Sequence, residues 1–240
     1  METGPSFVPL YQQVRGILLG RITDGYWKPG EPLPAEPRIA EELGVSPGTV
    51  RKALDDLAAA KVVTRRQGRG TYVTEHSPDT ALFHFFRVVN AKGHRSLPDC
   101  RELSRHHGKV NARERKALDL PAGAPVYRIR RMRPMEGRDV LIEDITVPAT
   151  LFPGLIDGRA PLPNTLYDHY QRAYGVTIRR ASETLRAVGA SDSVARHLGL
   201  ATGHPVMEIH RVAIGLDEKP IELRITWLAT DDFAYHVELE

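Results

Sequence analysis

The stretch LGVSPGTVRKAL, residues 43–54, decides the fold of the first part of this chain of 240 residues. Gly44 is a typical helix terminator, and Ser46 shortly after it is a typical N-cap. Pro47 then takes the first helical position, where its missing N–H is not needed. Apolar residues continue at helical spacing at Val50, Ala53, Leu54 and Leu57. This pattern predicts two helices joined by a tight turn, a helix-turn-helix.

The second helix of such a pair places its N-terminal turns in the major groove of DNA. Its outward-facing residues suit that role. Gly48 permits close approach, and Thr49 can donate to a phosphate or a base edge. Arg51 can reach phosphate or guanine, and Lys52 can reach phosphate. A further helix with one buried face is predicted before the pair from the spacing of Leu10, Val14, Ile17, Leu18 and Ile22.

A basic hairpin is predicted directly after the helix-turn-helix. Two runs rich in β-formers flank Gln-Gly-Arg-Gly within residues 61–73. The tip carries Arg69, and Arg65 and Arg66 lie on the incoming strand. A basic tip beside a recognition helix can follow the phosphates and enter the minor groove. The alternative is a small helical domain with a solvated basic turn, but the order and spacing of the features favour DNA binding.

The bulk composition is compatible with this and argues against other classes. The net charge is +3, which permits nucleic-acid binding without requiring it. No apolar run approaches the roughly 18 residues of a membrane helix, and the first residues lack the apolar core of a signal peptide. Cys100 is the single cysteine, so an internal disulfide framework is excluded. We expect a cytoplasmic protein with no membrane partner, and we find no internal repeat.

The polar stretch from residue 74 to residue 80 is the best domain boundary. We predict a winged helix-turn-helix over residues 1–75, a linker over 76–84 and a second domain over 85–240. In that second domain, alternating runs such as residues 126–130 and 140–147 read as strands, and helical segments lie between the later ones. The expected fold class is α+β, with a sheet built from antiparallel hairpins.

Five motifs of the first domain resemble the GntR family of transcription regulators. They are PLYQQV (9–14), WKPGEPLPAE (27–36), LGVS (43–46), TVRKAL (49–54) and GRGTYV (68–73). Family members place an arginine after the Leu-Pro-Ser/Ala-Glu motif to contact DNA. Here that place holds Pro37, and Arg38 follows one position later. The spacing and the resemblance together predict a DNA-binding set of Arg38, Ser46, Gly48, Thr49, Arg51, Lys52, Arg66, Gly68, Arg69, Gly70 and Thr71.

The second domain resembles the UTRA effector-binding module of the HutC subgroup, whose fold is like that of chorismate lyase. The matching stretches are LDLPAG (118–123), VYRIRRMR (126–133), IE (142–143), TLY (165–167) and PIE (220–222). The resemblance implies a pocket in which arginines engage an anionic group and acids take hydroxyl or amine groups. It implies a ligand-binding set of Phe85, Phe86, Arg131, Arg133, Glu143, Thr165, Tyr167, Glu222 and Trp227.

The chemistry of this set is sensible. Arg131 and Arg133 share one face of a strand and can together bind a carboxylate or phosphate. Surface arginines and a structural salt bridge are the alternatives for the arginines and for Glu143 and Glu222. The aromatic loop around Phe85 and Phe86 is poorly suited to cradling phosphate, which favours a carboxylate or aromatic effector.

The sequence as a whole predicts a sequence-specific transcription repressor. It would bind an inverted-repeat operator in double-stranded DNA as a homodimer, and a small anionic effector would modulate that binding. The alternatives are a lyase-like enzyme with a DNA-binding head and a purely architectural DNA-binding protein. No catalytic residue, cofactor or metal site is predicted, because the ten histidines are scattered and no metal-ligand spacing occurs.

Overall fold

The computed structural model describes residues 8–75, 85–95 and 98–238. The predicted linker, residues 76–84, lies outside the described residues. The first part of the chain forms three helices and a hairpin, and its elements are α1 Leu10–Thr23, α2 Glu36–Leu43, α3 Pro47–Ala59, β1 Val63–Arg66 and β2 Gly70–Val73.

The predicted helix-turn-helix is confirmed in detail. Gly44 ends α2 in the left-handed region, at φ 64°. Ser46 caps α3, because its side-chain oxygen accepts from the backbone N–H of Thr49 at 3.1 Å. Val14, Leu18 and the apolar side of α3 pack into one core. The prediction for α1 was wrong at Leu10 and Ile17, which are exposed, because the buried stripe of this helix is narrow and follows a four-residue spacing.

The second part contains a six-stranded antiparallel sheet in the order β4-β5-β6-β9-β8-β7, and a small separate pair of β3 and β10. Its elements are β3 Val88–Asn90, β4 Arg101–Lys109, α4 Ala112–Leu118, β5 Pro125–Met135, β6 Arg138–Pro148, a 3₁₀ turn Ala149–Leu151, α5 Leu166–Tyr174, β7 Ile178–Gly189, α6 Asp192–Leu198, β8 Pro205–Gly215, β9 Pro220–Ala229 and β10 Phe233–Tyr235. The α+β class is confirmed.

The sheet consists of two similar halves, which the sequence analysis missed. Each half runs strand, helix, strand, strand, and the halves meet between β6 and β9. Equivalent positions lie 80 residues apart, as Leu118 and Leu198 or Arg131 and Arg211 show. The backbone repeats as well: Val110 N donates to the carbonyl of residue 124 at 2.9 Å, and Ala190 N donates to that of residue 204 at 2.8 Å. Over residues 118–131 and 198–211, seven of fourteen side chains are identical, so the repeat is visible in the sequence once the 80-residue offset is known.

The two faces of the sheet have different coverings. Helix α6 packs on one face, against Met132 and Ile142. Helix α5 packs on the other, where Tyr167 and Tyr170 join Ile129 in the largest apolar cluster of this part. Because side chains alternate along a strand, Arg131 and Arg133 share the α5 face with Ile129.

Candidate DNA interface and effector cavity

The recognition helix and the wing form one exposed basic surface. Gly48, Arg51 and Lys52 are exposed on α3, as are Ser46 before it and Arg38 on α2, while Thr49 is half-buried. The exposed wing residues of the predicted set are Arg66, Gly68, Arg69 and Gly70. Thr71 does not belong to this surface: its side chain is only 8% exposed, because it alternates along β2 with Tyr72 and points inward beside Val73.

Glu36 organises two arginines of this surface, and the predicted set omitted it. Its carboxylate pairs with Arg51 Nε at 2.9 Å and with Arg65 Nη1 at 3.1 Å. Arg65 also pairs with Asp55 at 2.7 Å. Glu36 is the acid of the LPAE motif, so its type and place were visible in the sequence, but its partners were not. Within residues 8–75, Arg38, Lys52, Arg66 and Arg69 show no ion pair in the structure.

A cavity opens on the α5 face of the sheet, with about 610 Å³ of space counted to its open mouth. Most of the predicted ligand-binding set lies on its wall: Phe85, Phe86, Arg131, Arg133, Glu143, Thr165 and Tyr167. The wall also includes residues that the sequence analysis did not select: Arg87, Val88, Leu141, Asn164, Leu166, Ile209, Arg211, Arg224, Thr226 and Tyr235.

Buried ion pairs form the polar side of the cavity. Glu143 accepts from Arg131 at 3.1 Å and from Arg224 at 3.0 Å, through different carboxylate oxygens. Although burial opposes its ionisation, the neighbouring guanidiniums of Arg224, Arg133 and Arg131 hold the pKa of Glu143 well below its usual range. Glu143 is therefore a carboxylate at neutral pH, and it is ion-paired with Arg131 and Arg224.

Glu222 lies behind the cavity wall and is fully buried. Tyr167 and Tyr170 donate to its two oxygens at 3.0 and 2.9 Å, and Arg224 reaches both oxygens at 2.9 and 3.1 Å. Burial and the Glu222 carboxylate raise the pKa of both tyrosines above the usual value, so each keeps its proton and donates it. The oxygens of both acids of the predicted set are thus hydrogen-bonded to protein side chains, those of Glu143 on the cavity wall and those of Glu222 behind it.

Arg133 is the exception among the cavity arginines. It is 2% exposed, and its one hydrogen bond to a described residue runs from Nη1 to the backbone oxygen of Asn164 at 3.1 Å. Its Nε has no partner among the described residues, and no carboxylate there pairs with it. Burial, opposed by the field of Glu143, lowers the pKa of Arg133 to about 10. Arg133 is still a cation at neutral pH, and among the described residues its charge has no carboxylate partner.

Trp227 does not line the cavity. Its indole N–H donates to Glu208 at 3.0 Å, and its ring packs in the α6 cluster on the opposite face. Arg224 lies on the cavity side, because it is two residues from Glu222 along β9 and therefore shares its face. Arg211 occupies the position in the second half that Arg131 occupies in the first. Arg224 was recognisable from strand periodicity, and Arg211 from its 80-residue offset to Arg131.

Helix α5 connects the cavity to the DNA-binding part. Its first turn carries Tyr167 on the cavity wall. Near its other end, Gln171 Nε2 donates to the backbone oxygen of Thr74 at 3.2 Å, and Arg172 lies 3.6 Å from Glu75. Leu216, in the hairpin between β8 and β9, is buried in the core of the helix-turn-helix.

Among the residues that the structure describes, no cluster of three or more His, Cys, Asp or Glu side chains could hold a metal ion. No described helix is long and apolar enough to cross a membrane.

Comparison with known proteins agrees with this architecture. Residues 10–73 match the family "Bacterial regulatory proteins, gntR family", and residues 93–234 match the UTRA domain. The chain is 30% identical to the HTH-type transcriptional repressor NagR of Bacillus subtilis, over 85% of this chain and 84% of that one. It is 28% identical to the histidine utilization repressor of Pseudomonas putida, over 88% and 84%.

Among solved structures, PhnF from Mycobacterium smegmatis is similar at 26% identity and a TM-score of 0.56, covering 95% of this chain and 99% of that one. The ligand-binding domain of a GntR-family regulator from Bordetella bronchiseptica is similar at 31% identity and a TM-score of 0.58, covering 65% and 97%. The chain therefore belongs to the GntR family of bacterial transcription regulators, in the HutC-type group that joins a winged helix-turn-helix to a UTRA domain.

Proposed function

We propose that this regulator is a cytoplasmic repressor in which residues 1–75 bind operator DNA and residues 85–240 bind a small anionic effector that releases it. Two relatives named repressors, those of Bacillus subtilis and Pseudomonas putida, support the direction of regulation. The names of relatives span several metabolic systems, fructoselysine and mannosyl-D-glycerate among them. The effector therefore has to be argued from the cavity itself.

The observation that carries the effector proposal is the buried guanidinium of Arg133 at the cavity wall, which pairs with no carboxylate of the described residues. Burying an uncompensated charge is costly, and proteins usually pair such groups or leave them for a ligand. An anion entering the cavity would supply the missing partner. Arg131 contributes to the same positive field, although Glu143 already neutralises it.

The enzyme alternative has less support. A general acid or base needs a group free to exchange protons with a substrate. In the described cavity wall, Glu143 is held ionised by arginines, and Tyr167 is held protonated against Glu222. These groups are set up for binding and charge balance rather than for proton transfer.

We expect Arg51 and Arg69 to contact DNA in different ways. Replacing Arg51 with alanine should weaken operator binding by about 1–3 kcal/mol if it reads a base. Replacing Arg69 should lower the dependence of log affinity on log salt by about one if it contacts a phosphate. Fluorescence anisotropy across a salt series measures both. Arg115→Ala, exposed on α4, is the matched control, and unchanged affinity and slope in both test variants would refute the assignment.

We also propose a homodimer on an inverted repeat. One winged helix reads only a few base pairs, and two-fold symmetry doubles the site. The edge strand β7 supports an interface through the second domain, because one side of it is unpaired in the sheet and an unpaired strand edge invites a partner. Light scattering should give twice the monomer mass at micromolar concentration. A monomer that still binds the operator tightly would contradict the proposal.

The anionic effector is tested by thermal-shift screening of carboxylates, amino-acid derivatives and sugar phosphates. Anions should stabilise the wild type, since they bind the native state, and Arg133→Ala should lose the response. If only cationic or neutral compounds stabilise the protein, or if Arg133→Ala responds like the wild type, the proposed effector site is wrong.

A further inference from the structure

The charges around the cavity do not balance. Four buried or nearly buried arginines meet there: Arg131, Arg133, Arg211 and Arg224. Three carboxylates pair with them: Glu143, Glu183 and Glu222. Among the described residues, the buried cluster therefore carries one excess positive charge. Two other groups lie close by, the half-buried Arg87 at the wall and the Cys100 thiol beside Arg133, and Arg87 can be screened by water.

The excess charge is located on Arg133. Arg131 pairs with Glu143, and Arg224 pairs with both Glu143 and Glu222. Arg211 pairs with Glu183 at 2.6 Å and also donates to the backbone oxygen of Phe85. Arg133 alone among the four has only a backbone carbonyl as a partner in the described structure. One negative charge at Arg133 would neutralise the cluster.

Resting on the effector site proposed above, we propose that the effector is a monocarboxylate with an apolar or aromatic body, and that phosphates and dicarboxylates are disfavoured. A carboxylate matches the planar fork of a guanidinium and carries a single charge. A phosphate monoester carries nearly two charges at neutral pH. Its second charge would remain uncompensated close to Glu143, where desolvation and like-charge repulsion both oppose it.

The rest of the wall selects against sugars. Sugar hydroxyls need several polar partners. Glu222 lies behind the wall with both oxygens bound to Arg224 and the two tyrosines, and each oxygen of Glu143 already accepts from an arginine. Asn164 Oδ1 is a buried acceptor on the wall without a partner among the described residues, one group against the several hydroxyls of a sugar. Six of the other twelve wall residues are apolar, namely Phe85, Phe86, Val88, Leu141, Leu166 and Ile209, and Tyr167 and Tyr235 add two aromatic rings. Burial of an apolar body against these side chains would supply the larger share of the binding free energy.

The test uses the full chain and calorimetric titration with ligands that share one body. The set is 3-phenylpropanoate, its amide, 2-phenylethyl phosphate and phenylsuccinate, with hexanoate, benzoate, inorganic phosphate and glucose 6-phosphate as further probes. We expect monocarboxylates to bind roughly tenfold or more tightly than the matched phosphate and dicarboxylate near neutral pH, a factor that corresponds to about 1.4 kcal/mol. The amide should not bind measurably.

A pH series isolates the charge from the shape of the ligand. The second ionisation of a phosphate monoester has a pKa of about 6. Lowering the pH from about 7.5 to about 5 converts it mainly to the monoanion, while a carboxylate largely keeps its charge. The affinity for 2-phenylethyl phosphate should therefore rise toward that for 3-phenylpropanoate. A phosphate that binds best as the dianion would overturn the proposal.

Arg133→Met removes the excess charge and keeps much of the apolar stem. We expect it to lose carboxylate binding yet to melt no lower than the unliganded wild type, because the buried charge it removes has no partner. Arg133→Lys should retain a preference for monoanions, and Arg138→Met, at an exposed ion pair, is the control. Tighter binding of the phosphate, the dicarboxylate or glucose 6-phosphate would overturn the monocarboxylate inference but leave the anionic effector site standing. If no probe binds, the effector site fails as well.

Discussion

Replacing Glu143 with leucine should lower the free energy of unfolding of the second domain by about 3–5 kcal/mol, because removing one partner of a buried ion pair leaves the other charge uncompensated. Here Arg131 loses its carboxylate partner at 3.1 Å, Arg224 loses one of its two partners at 3.0 Å while keeping Glu222, and Arg133 loses an attractive field. Urea unfolding followed by tryptophan fluorescence measures the change, in a Trp27→Phe background that leaves Trp227 as the single tryptophan. Wild-type stability in this variant would show that the cluster contributes nothing to folding.

The control for that experiment is Asp139→Asn. Asp139 pairs with Arg101 at 2.7 Å, but both side chains are partly exposed. Exposed pairs contribute about 0–1 kcal/mol. Comparing the free energies of unfolding of the two variants separates the contribution of a buried ion pair from that of an exposed one.

The same carboxylate makes stability depend on pH. The pKa of Glu143 is depressed in the folded protein, whereas an unfolded glutamate titrates near about 4.3. Its contribution to stability is therefore present above about pH 4.3 and is lost as the pH falls further toward the folded pKa. Glu143→Gln should show a shallower loss of stability below about pH 4.3 than the wild type. Equal slopes would contradict the assignment.

Cutting the contacts between α5, the β8–β9 hairpin and the DNA-binding part should uncouple the two functions. In the wild type, an effector that releases DNA should weaken operator binding by roughly 5- to 150-fold. In the double variant Gln171→Ala, Leu216→Ala, this ratio should approach one, because Gln171 no longer holds the Thr74 backbone and Leu216 no longer fills the core of the head. Effector affinity without DNA should change little.

The measurement is operator anisotropy with and without the effector, together with calorimetry on the free protein. Arg138→Ala, at an exposed pair with Asp232, is the matched control and should keep the wild-type ratio. Because coupling is reciprocal, the effector should also bind the DNA complex more weakly in the wild type, but not in the double variant. A double variant that releases DNA as the wild type does would exclude this route.

The cavity was only partly predictable, and the residues show why. Arg131, Arg133 and Glu143 were selected from motif and strand alternation, and they do lie on its wall. Trp227 was selected together with Glu222. The two residues are five positions apart, and in a regular strand an odd separation puts two side chains on opposite faces. The same alternation explains Thr71 on β2, whose side chain turns inward while the neighbouring Gly70 stays on the surface.

The sequence by itself determined the class of the protein, since caps, turns and apolar spacing act over a few residues and leave local marks. The helix-turn-helix, the wing and the succession of hairpins follow from such marks. The tertiary structure decided which charges compensate each other. Glu143 in β6 meets Arg224 in β9, 81 positions later, and Arg51 meets Glu36 across two helices. It also placed Leu216 in the core of the head. A buried charge interacts with whatever the fold brings within a few ångströms, and no local pattern encodes that neighbour.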